Sequence, residues 1–125
     1  MHNEIFDRMV QAQPELLPAR FCETISRVTE LLLTENIPGL AALVLFGSAA
    51  RDGSIRSSSD VDIAVVTEQK ITDRVLLANL RDTVEGLPCE VDLAFISLPA
   101  LANPEDTFLK NFVRDAKLLW RKCDG

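Results

Sequence analysis

At 125 residues, the chain is sized for one domain that buries roughly two-thirds of its unfolded surface, and no second folded domain is expected. Hydrophobic residues at 47% and charged residues at 26% exclude a disordered or fibrous chain. Thirteen Lys plus Arg stand against 19 Asp plus Glu, and the resulting net charge of −6 leaves no broad basic surface for a nucleic-acid duplex. The longest apolar run, Leu40 to Phe46, falls far short of the roughly 20 residues of a membrane span, and the N-terminus lacks a signal-peptide layout. A cytoplasmic protein without membrane contact is the expectation. Cys22, Cys89 and Cys123 are widely spaced and His2 is the single histidine, so neither a disulfide framework nor a zinc site follows. Cys22 and Cys89 read as buried thiols and His2 as an exposed side chain.

The N-terminal part, to about residue 38, reads as helical. An early helical piece is expected over Glu4 to Gln11. Phe21, Ile25, Val28 and Leu32 then recur at helical spacing, with Pro14 and Pro18 confining the start. Asn36, Pro38 and Gly39 end that helix, and Leu40 to Phe46 follows as a strand buried on both faces. Gly47 to Ser59, rich in Gly, Ser, Arg and Asp, is a structured functional loop. Asp60 to Val66 alternates like a strand. Leu76, Leu80, Val84 and Leu87 mark a second long helix, with Thr72 as its cap and Gly86 and Pro88 at its end. Cys89 to Ile96 supplies a third strand. Asn103 is the expected cap of a helix that turns Phe108, Leu109, Phe112 and Val113 inward, and Lys117 to Trp120 reads as a short last strand. This alternation predicts an α/β (α+β) layer, a small sheet flanked by helices. If Gly47 and the acids at the starts of the next two strands share one site, the first strand runs opposite to the others and the sheet is mixed.

Asp60 and Asp62 are two apart on a strand, so both side chains leave the same face. Asp92 sits near the start of the apolar strand Val91-Asp92-Leu93-Ala94-Phe95, where packing gives an acid no role. Two such charges about 4 Å apart repel by roughly 4 kcal/mol at an effective dielectric near 20, so converging carboxylates take up protons or a cation. Oxygen ligands without His or Cys favour Mg²⁺ or Mn²⁺. Taken singly, Asp60 and Asp62 also suit loop caps or edge charges, and Asp92 an arginine partner. Upstream, Gly47 permits close backbone approach, while Ser48 offers a hydroxyl and an amide where a helical turn over Ala49 to Arg51 begins, a layout suited to phosphate.

Leu45-Phe-Gly-Ser-Ala-Ala-Arg51, followed by Ser59-Asp-Val-Asp-Ile63 and by Asp92, resembles the nucleotidyltransferase superfamily of DNA polymerase β, and within it the small stand-alone minimal nucleotidyltransferases. The likeness runs from about Leu40 to Trp120. Asp52 stands between Arg51 and Gly53, where many of these relatives place a glycine directly after the arginine. The resemblance implies a polymerase β palm-like fold and two-metal transfer of a nucleoside monophosphate from a nucleoside triphosphate, foremost ATP, to a hydroxyl. It assigns Asp60, Asp62 and Asp92 to two Mg²⁺ ions, with Asp92 also placed to help deprotonate the acceptor, and Gly47, Ser48 and Arg51 to the nucleotide phosphates. Arg56 is a weaker phosphate candidate, and Glu90 is a rival third acid. Relatives of this size act beside helical HEPN-domain proteins as antitoxins that adenylylate a ribonuclease toxin, so a HEPN-type partner is expected. Two other readings stay open: nucleotidylation of a small aminoglycoside-like compound, and a nucleotide-binding module that neutralises its partner by contact alone. Phe46, Phe95, Phe108, Phe112 and Trp120 read as core.

Overall fold

The computed structural model describes residues 4–51 and 55–123; His2, Asp52 and Gly53 lie outside them. The chain opens with α1 (Glu4–Asp7) and β1 (Val10–Gln11), and continues through a 3₁₀ turn at Pro14–Leu16 into α2 (Ala19–Thr34) and β2 (Leu40–Phe46). A second 3₁₀ turn, Gly47–Ala49, precedes β3 (Val61–Thr67), α3 (Arg74–Thr83), β4 (Val91–Ser97), α4 (Leu98–Ala102), α5 (Thr107–Asp115) and β5 (Lys117–Arg121). The five strands form one sheet in the order β1-β5-β2-β3-β4. β2 runs antiparallel to both of its neighbours, β3 and β5, whereas β3 and β4 are parallel and in register from Val61↔Val91 to Thr67↔Ser97. The mixed sheet and the reversed first long strand match expectation.

Each face of the sheet carries its own apolar cluster, which is why β2 reads as a continuous apolar run. On one face Leu43, Leu45, Ile63 and Val65 pack against Phe21, Ile25, Val28 and Leu32 of α2 and Leu80 of α3. On the other, Ala42, Val44, Ala64, Val66 and Ile96 meet Phe6, Leu98, Leu101 and Phe112. Thr24 ties α2 to the approach of β4: its hydroxyl donates to the Arg20 carbonyl (2.7 Å) and accepts from the Cys89 amide (3.0 Å). Among the described residues no helix is long and apolar enough to cross a membrane.

Several local expectations are corrected. The first helix stops at Asp7, and Val10–Gln11 leaves it to pair with β5 in parallel. Asp73, not Thr72, caps α3, its carboxylate accepting from the Val75 and Leu76 amides at 3.0 and 3.2 Å. Asn103 is the C-cap of α4, a helix not expected from the sequence, and Asp106 caps α5 through the Leu109 amide at 2.8 Å. Asp is as good a cap as Asn, and Asp106 stands immediately before the helix, whereas Pro104, Glu105 and Asp106 separate Asn103 from it. Phe108 and Val113 of α5 are 50% and 40% exposed rather than turned inward, while Phe46, Phe95 and Trp120 are half-buried against the core. Cys89 is buried as expected, but Cys22 is only half-buried.

Candidate active site

The C-terminal end of β2 and the N-terminal ends of β3 and β4 lie side by side, because β2 is antiparallel to β3 and β3 is parallel to β4. Phe46 pairs with Asp62, and Asp62 with Asp92. Cross-strand partners share a face, so Phe46, Asp62 and Asp92 form one row on the side of α4 and α5. Asp60, two residues before Asp62, is delivered by a turn in which the Ser59 amide donates to the Arg56 carbonyl (3.0 Å) and the Arg56 amide to the Ser59 hydroxyl (2.8 Å). Glu90 is set apart from the row. Its carbonyl accepts from the Val61 amide at 2.8 Å, and it lines a separate cavity with Val84, Gly86, Leu87 and Cys89.

Gly47 has a positive φ of 71°, a conformation that only glycine adopts freely. A Cβ built there would lie 2.1 Å from Oδ2 of Asp62 and 3.0 Å from its Cγ. The Asp62 carboxylate therefore rests on bare backbone where the strand turns. The turn itself starts at Gly47, earlier than the expected Ala49 to Arg51, and is closed by the Ala50 amide on the Gly47 carbonyl (3.1 Å) and the Arg51 amide on the Ser48 carbonyl (3.3 Å). Ser48 is half-buried and Arg51 exposed.

Burial pushes the Asp62 carboxyl up to about 6, with the Asp92 and then the Asp60 carboxylate adding to the rise and the Arg51 guanidinium opposing it. The ionised form of this half-buried group is thus disfavoured by its surroundings, the condition that a bound cation relieves. Among the described residues, no three or more His, Cys, Asp or Glu side chains close into a metal cage. The donor set is all carboxylate, which suits a hard divalent ion such as Mg²⁺.

Two features of this region had no local signal. Phe46 joins Phe108 and Phe112 in an aromatic group, with ring centroids 5.8, 5.3 and 6.2 Å apart pairwise, adjoining the acid row. Behind the Gly47 turn, a cavity of about 280 Å³ is lined by both Arg51 and Lys117, residues remote in sequence that share it because Leu45 pairs with Lys117.

A family model described as polymerase beta nucleotidyltransferase matches residues 27–124. The fold is similar to that in the crystal structure of a toxin-antitoxin with AMP-PNP, at 28% identity and a TM-score of 0.58, covering 78% of this chain and 73% of that one. It is also similar to a chain in the structure of tri-AMPylated Shewanella oneidensis HEPN toxin in complex with MNT antitoxin, at 26% identity and a TM-score of 0.53, covering 88% of this chain and 74% of that one. A third similar structure is that of the toxin-antitoxin MntA-HepT, at 26% identity and a TM-score of 0.53, covering 79% and 71%. No curated protein matches the chain at a significant level.

Proposed function

Since this chain belongs to the polymerase beta nucleotidyltransferase family, we propose that it transfers AMP from ATP to a hydroxyl on a HEPN-type partner protein, as the antitoxin of a toxin-antitoxin pair. The observation that carries this reading is the Asp62 carboxylate, set against the Gly47 backbone and in register with Asp92. That arrangement sets a turn suited to phosphate directly against an acid row suited to a cation. Asp60, Asp62 and Asp92 would hold two divalent ions, Mg²⁺ or Mn²⁺, which when bound neutralise the triphosphate and ease ionisation of the acceptor hydroxyl. Backbone amides of the Gly47 turn and the Ser48 hydroxyl hold the phosphates, and Arg51 adds positive charge to them. The acceptor oxygen forms a bond to the α-phosphorus, the bond from that phosphorus to the β-bridging oxygen breaks, and pyrophosphate leaves. Asp92, exposed at the end of the row, takes the hydroxyl proton.

The choice of a protein acceptor is supported by the similar structures, one of which contains an AMPylated HEPN toxin with its MNT antitoxin. The net charge of −6 is compatible with a basic partner. Incubation with a HEPN-type partner, ATP and Mg²⁺, read by mass spectrometry of the partner, tests the proposal. An AMP adduct that disappears with Asp62→Asn is the expected result. Tight association without any adduct would reject transfer and leave a contact-only module.

A further inference from the structure

β4 closes one side of the sheet, pairing with β3 and, among the described residues, with nothing beyond it. The Val61 amide donates to the Glu90 carbonyl, and successive residues of a strand turn their backbone groups to opposite edges, so Asp92, Ala94 and Ile96 also face β3. Val91, Leu93 and Phe95 therefore turn amide and carbonyl outward. Sheet edges are commonly blunted by shortness, proline, bulges or lysine. β1, at the other side of the sheet, is two residues long, whereas β4 runs Val-Asp-Leu-Ala-Phe-Ile-Ser and holds its register with β3 throughout. Only Ile96 among its side chains is buried. A cavity of about 270 Å³ follows the C-terminal half of this edge, lined by Lys70 and Arg81 beside Leu77, Leu93 and Phe95, and by no carboxylate. The Arg81 guanidinium is held 5.0 Å from the centre of the Phe95 ring. On a chain of net charge −6, two cations thus border a length of unpaired backbone. We propose that the free edge of β4 accepts an added strand from a partner protein, an extended segment with acidic residues toward α3 and apolar residues on its other face.

Main-chain bonds to Leu93 and Phe95 supply the pairing, and side chains that alternate between faces supply the selectivity. Leu93 and Phe95 belong to the α2 and α3 face, Ala94 and Ile96 to the other. Carboxylates on the first face meet Arg81, whose planar fork binds them in pairs, and Lys70, a compact point charge. Apolar side chains on the second face extend the row of Ala94 and Ile96. An acid there would face Asp92, which stands on the same side of β4. A second copy of this chain fits the edge less well. Paired antiparallel about a two-fold axis, it would present Val91, Leu93 and Phe95 to the α3 face, none of them acidic, and would bring a second Arg81. The proposal does not depend on nucleotidyl transfer.

Titration of the full chain with end-blocked heptapeptides of alternating valine and glutamate, or of alternating valine and lysine, tests this in the absence of nucleotide, so its outcome is separate from the adduct experiment. The glutamate peptide is expected to bind about tenfold more tightly than the lysine peptide, in the range of a charge-assisted contact, and to slow amide hydrogen exchange at Leu93 and Phe95. The double variant Lys70→Glu, Arg81→Glu is expected to reverse that preference. Leu93→Pro, which removes an outward amide and leaves the ladder to β3 intact, is expected to abolish binding of the glutamate peptide. A thermal melt of each variant separates unfolding from lost affinity. Failure of the glutamate peptide to bind the wild type would overturn the proposal, as would equal affinity for the two peptides, binding without protection at Leu93 and Phe95, or an unchanged preference in a folded double variant. A dimer in sedimentation equilibrium that Leu93→Pro dissociates would also overturn it, because a second copy would then occupy the edge.

Discussion

An aspartate that is half-buried, pressed on a glycine backbone and faced by two other acids is in a worse state when ionised than the same group in water. Asp62 is that residue, its carboxyl raised from the ordinary 3.8 to about 6. A raised carboxyl means that the native state holds a proton the unfolded chain has released. Stability is therefore unaffected below about pH 4, falls as pH rises toward 6, and carries the full penalty at neutral pH. With solvent screening on its open side, that penalty is about 1 kcal/mol. Asp62→Asn, close in shape but uncharged, is accordingly expected to raise the urea midpoint in EDTA at pH 7.5, to match the wild type near pH 4, and to abolish AMP transfer at every pH. A variant less stable than the wild type at pH 7.5 would contradict this account. Gly47→Ala acts on the same contact from the other side. Its methyl would occupy the place of Asp62 Oδ2, at 2.1 Å, and its φ of 71° is strained for alanine. A cost of about 1 to 2 kcal/mol in a chemical melt, together with loss of transfer, is expected. Asp60 and Asp62 were legible as a pair because two residues on one strand share a face without any knowledge of the fold. The contact between Gly47 and Asp62 was not, since it depends on the register that pairs Phe46 with Asp62.

Short-range chemistry separates the elements that sequence reading captures from those it misplaces. β2 matched residue for residue, because an apolar run bounded by Gly39 and Gly47 permits little else. Cap assignments shifted where two candidates stood close together: Thr72 and Asp73 before α3, Asn103 and Asp106 before α5. Only the backbone geometry chooses between such neighbours, and the side chain that reaches an N2 or N3 amide is the one that counts. Asp106→Ala is therefore expected to cost about 1 kcal/mol by thermal or urea melt and Asn103→Ala much less; the reverse order would make Asn103 the cap of α5. β1 carried no signal, being two residues long with both side chains exposed. For α4 the signal was present, Ser97 as cap and Pro99 in the first turn, but a helix of this length has no apolar period to reinforce it. Thr24 shows how an element far from the site holds it. Thr24→Val keeps the shape and removes the acceptor for the buried Cys89 amide, leaving that donor unpaired at a cost of about 1 to 3 kcal/mol. Cys89 leads into β4, so the same variant is expected to loosen the strand that carries Asp92 and to raise amide hydrogen exchange at Val91 and Asp92 more than at β2.

Over the whole molecule, folding brings Asp60, Asp62 and Asp92 from separate stretches of chain to one sheet end, while the unfolded chain keeps Asp92 apart from the other two. A divalent cation that binds the native acid row and not the unfolded chain must stabilise the fold by mass action. At about ten times its dissociation constant the gain is roughly 1.4 kcal/mol, or about 5 °C in melting temperature for a domain of this size. Generic screening also contributes, because the net charge of −6 repels itself and any added salt relieves that. Matching the ionic strength with NaCl removes this component from the comparison. Two proteins and two media then give a crossing pattern. In EDTA, Asp62→Asn is expected to melt above the wild type, since it no longer carries the penalty of an ionised Asp62. In Mg²⁺ at matched ionic strength the order is expected to invert, because the wild type gains the cation and the variant has lost the ligand closest to Gly47. Repulsion alone would give the first result without the second, and a cation bound elsewhere on the surface would raise both melting temperatures together. Inversion requires that the group destabilised by its neighbours is the same group that holds the ion, which is the physical content of an acid row poised for metal-assisted transfer.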